Sequence, residues 1–288
     1  LDIFNDGVIM SFSSLQQYLR HLYSTPGERQ SYWLDEAGRA CGRYYHSTLT
    51  STFQPLRASA NLQVAAYAGY ARTYAANAEG LNVWRLLEQA ASDQESIELD
   101  RLCRILHVIN FYRQIEAKDQ PLFLTIHPRL LAGVESNHGI AFRRVLGLLE
   151  LPHNNIILQL PQINASQRWI LQYVAENYQR NGFRIGIHAK NAGEALELLD
   201  RVELDAIKLS PDIGPDAAQH RQLLQAITQR GARLIYKRVE TAEQWAALQA
   251  LHAGSDQPFW AQGFYFDQPN ARLVSDPAQN TAHAEMAA

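Results

Sequence analysis

GFRIGIHAKNAGEALELLDRVELDAIKLS, residues 182–210, decides the fold. FRIGI (183–187) is a short β-rich run, Glu194 to Leu199 carries helical spacing, and LDAIKL (204–209) is apolar and β-rich again. A strand, a crossover helix and a second strand imply parallel pairing in a buried sheet. In such folds the chemistry collects at the C-terminal ends of the strands. Those ends carry His188, Ala189 and Lys190 on one strand, and Lys208 and Ser210 on the next.

The same alternation extends in both directions. TSTFQPLRA (50–58) and LQVAAYAGYAR (62–72) are strand-like and joined by a short polar turn at Ser59 to Asn61, which predicts an antiparallel pair. Leu81 to Ala91 and Ile97 to Ile115 read as helices, the second with Leu99, Leu102, Cys103, Leu106 and Ile109 on one face. PLFLTIH (121–127) and NIILQL (155–160) are strands stopped by Pro128 and Pro161. Helices are expected over Gly139–Leu149, Ser166–Gln179 and Ala217–Arg230, with Gly182 ending the second. RLIYKRV (233–239), TAEQWAALQALHA (241–253) and PFWAQGFYF (258–266) add a strand, a helix and a last strand. Seven or eight strands alternating with helices predict a TIM-like (β/α)8 barrel whose first strand pair is antiparallel. An open doubly wound sheet is the alternative, weakened because no glycine-rich phosphate loop follows an early strand.

The barrel is expected over residues 48–270. Residues 1–47 read as an N-terminal extension: an amphipathic helix from Phe12 to Tyr23, then a hairpin in SYWLDEAGRACGRYY (31–45) turning near Glu36 to Gly38. Residues 271–288 are polar and alanine-rich without periodicity, as in a flexible tail.

A net charge of −3 and a pI near 6.4 argue against general nucleic-acid binding. The runs Arg143-Arg144 and Lys237-Arg238 are too short for a nucleic-acid patch. No apolar run approaches the roughly 18 residues of a membrane span. Residues 1–10 lack a basic segment followed by an apolar core, so no secretory signal and a cytoplasmic location are expected. Cys41 and Cys103 are far apart without CxxC spacing, and buried free thiols are expected. The five tryptophans are scattered, as in core packing rather than base stacking.

The strand-end segments, in order, resemble the EAL-domain family. TFQPLRA is similar to its FQPI opening, and YAGYAR (67–72) lies where the family has YEALLR. LTIHPRLL (124–131) resembles VNVSPRQL, and ILQLPQ (157–162) takes the place of LEITE. GFRIGIHAKNAG (182–193) resembles GVRIALDDFGTG, and LDAIKLS (204–210) resembles VDTLKID. IYKRVETAEQ (235–244) resembles IAEGVETEEQ, and QGFYFDQP (262–269) resembles QGYLFSRP. Any one match is weak, whereas eight in barrel order are specific. The resemblance implies a TIM-like barrel built to hydrolyse cyclic di-GMP with two divalent metals. Such metals want several oxygen ligands, preferably carboxylates, to activate water and neutralise charge on the leaving oxygen.

Here those ligands are largely replaced. Where the family has its acidic residues and an Asn, this chain has Ala68, Thr125, Gln159, Gln162, His188, Ala189, Ser210 and Lys237. Lys208 and Glu240 match the family's catalytic set. Gln54, Arg72, Gln262 and Gly263 match positions that the resemblance assigns to ligand contact and mouth shape, and with Lys208 they are the ligand-binding candidates. No metal, no cofactor and no hydrolysis are expected.

Lys208 reads as a relic, as a salt bridge to Glu240, or as a phosphate contact. Arg72 and Gln54 contact a phosphate or hold the first strands together. His127 and His188 sit at strand ends that share one mouth, and ordinary hydrogen-bonded histidines are favoured over a zinc site that lacks further ligands. Tyr70 replaces a smaller aliphatic residue at that mouth. The functional expectation is an inactive EAL-like domain that regulates a partner protein by contact, with a homodimer compatible. The alternatives are a metal-independent receptor for cyclic di-GMP or another phosphate ligand, and a residual phosphodiesterase.

Overall fold

The computed structural model describes residues 32–45, 47–74, 92–128, 138–162, 168–211, 217–255 and 257–274. The expected helices at Phe12–Tyr23 and Leu81–Ala91, and the tail from residue 275, lie outside the described residues. So do parts of several strand-to-helix connections.

The hairpin comes first: β1 (Tyr32–Leu34) pairs antiparallel with β2 (Ala40–Tyr44), and Gly38 takes the left-handed turn at φ +69°. β3 (Ser47–Ala58) and β4 (Val64–Tyr74) form the antiparallel pair read from the sequence. Then follow α1 (Asp93–Tyr112), β5 (Leu122–Thr125), α2 (His138–Leu148), β6 (Ile156–Leu160), α3 (Arg168–Arg180) and β7 (Arg184–His188). The chain continues with α4 (Ala192–Leu199), β8 (Ala206–Leu209), α5 (Ala217–Arg230), β9 (Arg233–Lys237), α6 (Ala242–Leu251) and β10 (Trp260–Gln262).

Strands β4 to β10 pair in parallel, each with the next, and β3 closes the ring antiparallel to both β4 and β10. This is the TIM-like barrel with the expected irregular first pair. β3 is long enough to serve two neighbours on one edge. Its first residues pair with β2 and its last with β10, so the hairpin extends the barrel sheet. A barrel needs two apolar layers, and the sequence supplies both. β6 and β8 are buried along their whole length, which suits strands covered on both faces. Inside the ring lie Leu56, Ala66, Ala68, Phe123, Ile157, Ala206 and Ile235. The larger core fills the space between the strands and the helices.

Local chemistry sets the helix ends. Ser92 accepts from the Glu95 N–H and starts α1 earlier than the apolar spacing alone indicates. Thr241 and Gln244 form a reciprocal capping box on α6. α3 ends where Gly182 was expected to end it. Gly182 sits at φ +81°, and the Phe183 and Gly182 N–H groups return to the Tyr178 and Gln179 carbonyls.

Three expectations are corrected. The strand expected over 233–239 stops at Lys237, because Arg238 takes φ +57° and turns the chain. The strand expected over 258–266 is only Trp260–Gln262. Phe266 and Asp267 donate back to the Gly263 carbonyl and coil the segment into a turn. Residues 271–274, expected in the tail, pack on the barrel. Leu273 is buried, Gln114 binds Ala271 and Leu273, and the Val274 N–H reaches the Tyr67 hydroxyl. Cys41 and Cys103 are buried free thiols, and no described helix is long and apolar enough to cross a membrane.

Gly263 is demanded by close approach. A Cβ there would lie 1.9 Å from the Val239 carbonyl oxygen and 2.4 Å from its nitrogen. Backbone atoms cannot swing aside as a side chain can. Gly263→Ala is therefore expected to destabilise the fold by about 3 kcal/mol, the upper end of ordinary overpacking. Chemical denaturation of the purified variant measures this, and a midpoint equal to that of the unmodified protein refutes it.

Candidate functional site

At the C-terminal ends of the parallel strands the ring opens into a cavity of about 620 Å³. Its lining draws on β3, β4 and the ends of β5 to β10: Gln54, Ala68, Tyr70, Thr125, Gln162, His188, Lys208, Lys237, Arg238, Glu240, Gln262, Gly263 and Phe264 among them. Lys237 and Lys208 both face it, and it is open.

Barrel closure makes neighbours of residues far apart in sequence. His188 and Lys208 are register partners on β7 and β8, and Lys237 is the partner of Gln262 on β9 and β10. Lys208 is buried, with its Nζ 4.5 Å from the centre of the Phe123 ring. Burial lowers its pKa from 10.5 to about 7, and the neighbouring Lys237 adds to the effect. Burial and then Arg238 lower the pKa of Lys237. Burial holds His188 well below the usual imidazole range, with Lys237, Lys208 and Arg238 pushing the same way. Each of these groups resists protonation because water is excluded and like charges stand nearby.

The balancing charge is sparse. Among the described residues Glu240 is the one carboxylate lining the cavity, and Lys208 makes no ion pair with it. The salt-bridge reading of Lys208 is thereby corrected, since the amine lies against an aromatic face instead. No group of three His, Cys, Asp or Glu side chains placed to hold a metal occurs among the described residues. Hard dications need carboxylate oxygens, and this lining offers ammonium and guanidinium groups with one carboxylate. Among the described residues this lining is a poor donor set for the metal pair that the family resemblance implies.

The other candidates divide. Gln54 and Gln262 are buried at the mouth but bind each other at 2.9 Å. Gln262 also donates to the Tyr70 hydroxyl at 2.9 Å, and Gln54 to the Asp267 carbonyl at 2.7 Å. Gly263 shapes the rim. Arg72 is exposed on β4 beyond Tyr70, outside this lining. Thr125 and Ala68 line the cavity, and Gln162 reaches out to Glu194 at 3.4 Å. Gln159 lies beneath the floor, fully buried, and neither amide atom finds a partner among the described residues. Gly186 makes its room: a Cβ there would come within 2.8 Å of the Gln159 Oε1.

Two expected placements fail. His127 does not line the cavity; its N–H is accepted by Asp100 on α1, at 3.2 Å. Lys190 is exposed on the loop before α4, where its N–H is held by Glu194. Ala189 is buried, with its N–H donating to the Lys208 carbonyl.

Arg238 is the site residue that sequence reading missed. In sequence it is half of a two-residue basic run. In the structure its left-handed backbone places it on the rim, with Nη2 3.5 Å from the Ser210 Oγ. A non-glycine residue in that conformation costs about 1–2 kcal/mol. Arg238→Gly is accordingly expected to stabilise the fold by about 1 kcal/mol while weakening anion binding at the mouth. Paired measurements of denaturation midpoint and inorganic phosphate affinity check this, and a loss of stability overturns it.

No curated protein sequence matches the chain. Among solved structures it is similar in fold to the Bacillus subtilis YkuI protein, with an EAL domain, in complex with substrate c-di-GMP and calcium. There identity is 16%, the match covers 83% of this chain and 59% of that one, and the TM-score is 0.65. It is also similar to the FimX EAL domain from Pseudomonas aeruginosa bound to c-di-GMP, at 15% identity, 92% and 98% coverage and a TM-score of 0.62. A standalone EAL protein from Vibrio cholerae, in a c-di-GMP bound form, matches at 16% identity, 81% and 97% coverage and a TM-score of 0.56. The chain spans about three-fifths of the length of YkuI and of the EAL enzyme Bd1971, at 59% and 62%. At these identities the likeness is one of fold. The sequence model of the EAL domain matches residues 42–269, most of the chain, and the chain belongs to the EAL domain family.

Proposed function

We propose that this EAL-domain protein does not hydrolyse cyclic di-GMP. It regulates a partner protein by contact in cyclic di-GMP-related signalling, and its barrel mouth is a metal-free site for a phosphate-bearing anion. One observation carries the reading: Lys208, Lys237 and Arg238 line an open cavity whose described residues supply a single carboxylate, Glu240. Two like charges about 4 Å apart repel by roughly 1–4 kcal/mol, so a dication is opposed there. A phosphate oxygen, in contrast, relieves that repulsion and accepts hydrogen bonds from both lysines and the guanidinium.

A specific observation also favours regulation through contact alone, with no nucleotide in the mouth. Gln54 and Gln262, two of the expected ligand contacts, are spent on each other, on Tyr70 and on Asp267. A nucleotide using either group must first break that network.

The purified protein is expected to leave cyclic di-GMP intact in Mg²⁺ or Mn²⁺. Detectable turnover that disappears in EDTA sinks the proposal. Calorimetric titration with cyclic di-GMP in EDTA then separates the two forms of the reading. Micromolar binding abolished by Lys237→Ala favours the anion receptor. No heat at millimolar ligand favours contact alone.

A further inference from the structure

We propose that Lys208 is a reactive amine, and that the barrel mouth captures a phosphate-bearing aldehyde as a reversible imine on its Nζ. The inference rests on the anion-binding reading of the mouth and deepens it by naming the ligand class.

Four features converge on this amine. It is buried in the ring yet lines the open cavity, so a small carbonyl compound has a route to it. Its near neighbour is the aromatic face of Phe123, and among the described residues no carboxylate pairs with it. Cationic groups at the rim, Lys237 and Arg238, stand where a phosphate on the same ligand would bind. Burial and Lys237 together bring its titration to about pH 7, so about half of it is the free base under ordinary conditions. A lysine that is desolvated beside another cation is the form in which lysine acts as a nucleophile toward carbonyls. Ordinary lysines titrate near 10.4 and are almost wholly protonated at neutral pH.

The step balances without a co-reactant. The Nζ lone pair attacks the aldehyde carbon, and the C=O π bond becomes an oxygen lone pair. The proton then moves from nitrogen to oxygen, giving a neutral carbinolamine. His188, the register partner of Lys208, lines the same cavity, and burial holds its imidazole neutral. The hydroxyl leaves as water with the remaining amine proton, and a C=N bond forms. Nothing is oxidised or reduced. Burial and Lys237 set the protonation of Lys208; the other titratable or charged groups lining the same cavity are His188 on β7, Arg238 after β9, Glu240 beyond it and Tyr70 on β4.

The test uses the full chain with pyridoxal 5′-phosphate as the phosphate-bearing aldehyde, followed by borohydride and peptide mapping. Borohydride delivers hydride to the imine carbon and leaves a stable secondary amine. Mapping is simple because Lys118, Lys190, Lys208 and Lys237 are the lysines of the chain. Lys208 is expected to be labelled at least tenfold faster than Lys118 or Lys190 at pH 7.5. Its labelling rate should rise through a midpoint near pH 7, whereas theirs should still be rising at pH 9. Inorganic phosphate should slow the reaction, and pyridoxal without phosphate should react several-fold more slowly. Label on Lys237 instead, or equal label on all four lysines, overturns the proposal. Lys208→Arg should abolish the adduct, with its circular dichroism spectrum confirming the fold. Phosphate binding without a Lys208 adduct overturns the imine alone. A Lys208 adduct that forms as fast with pyridoxal, and is indifferent to Lys237→Ala, overturns the anion reading and keeps the reactive amine.

Discussion

Asp100→Ala is expected to destabilise the protein by about 3–5 kcal/mol, the penalty for leaving a buried charge without its partner. Asp100 and Arg104 stand one turn apart on α1, with side chains only 4% and 2% exposed. Their Oδ2 and Nε meet at 2.6 Å. Asp100 Oδ1 accepts the His127 N–H just after β5, and the Arg104 guanidinium lies 4.9 Å from the centre of the Phe142 ring. The Tyr178 hydroxyl on α3 completes the cluster, within hydrogen-bonding reach of Arg104. Removing the carboxylate strands a guanidinium in the layer between strands and helices. It also orphans a backbone N–H beside Thr125 and Pro128, two residues of the mouth. Asp100→Leu combined with Arg104→Met should recover most of the loss, because an apolar pair has no charge to desolvate. Denaturant midpoints of the single and double variants test this. A single variant within 1 kcal/mol of the unmodified protein refutes the assignment.

Lys208→Met should act in the opposite direction, and its effect should depend on pH. The folded state releases the Lys208 proton near pH 7, while the unfolded chain holds it to about pH 10.5. Between those values the unfolded state binds more protons, so the stability of the unmodified protein rises with pH across that window. Below it the buried charge is present in full, and its penalty is about 3–5 kcal/mol, partly offset by attraction to the Phe123 ring. Methionine has similar length and no charge. The variant is expected to be the more stable protein at pH 6–7, with the two curves converging as pH approaches 10. Melting temperatures measured at several pH values decide the matter. A constant difference across the window means that Lys208 is not desolvated.

The strand-helix-strand unit at 182–210 was legible because buried parallel strands are continuously apolar and their crossover helix keeps its own period. The β3–β4 pair was legible from two β-rich runs around a short polar turn. Element ends were less so. The stop after Lys237 depends on Arg238 adopting a left-handed backbone, which its residue type does not favour. The short last strand depends on Phe266 and Asp267 turning back to the Gly263 carbonyl. Asp100 and Arg104 showed the spacing of a helical pair, but nothing in that spacing said that both would be buried.

The site was legible in part. Ala68, Thr125, His188 and Lys237 were picked out by the resemblance to the EAL family, and the structure brings all four to one cavity. His127 and Lys190 were placed there by adjacency in sequence and are not there. One residue beyond a strand, the chain has already begun to turn, and side chains no longer alternate between the two faces of the sheet.

By itself the sequence determined the order of elements and their parallel sense, because periodicity and residue type are local properties. The tertiary structure alone decided which cations share a cavity. Lys208 meets the consecutive Lys237 and Arg238 through the pairing of β8 with β9, and Lys190 is excluded although it is two residues from His188. It also decided that the amine of Lys208 sits against Phe123 rather than Glu240. Burial and proximity set that balance of charge, and both arise only when the barrel closes.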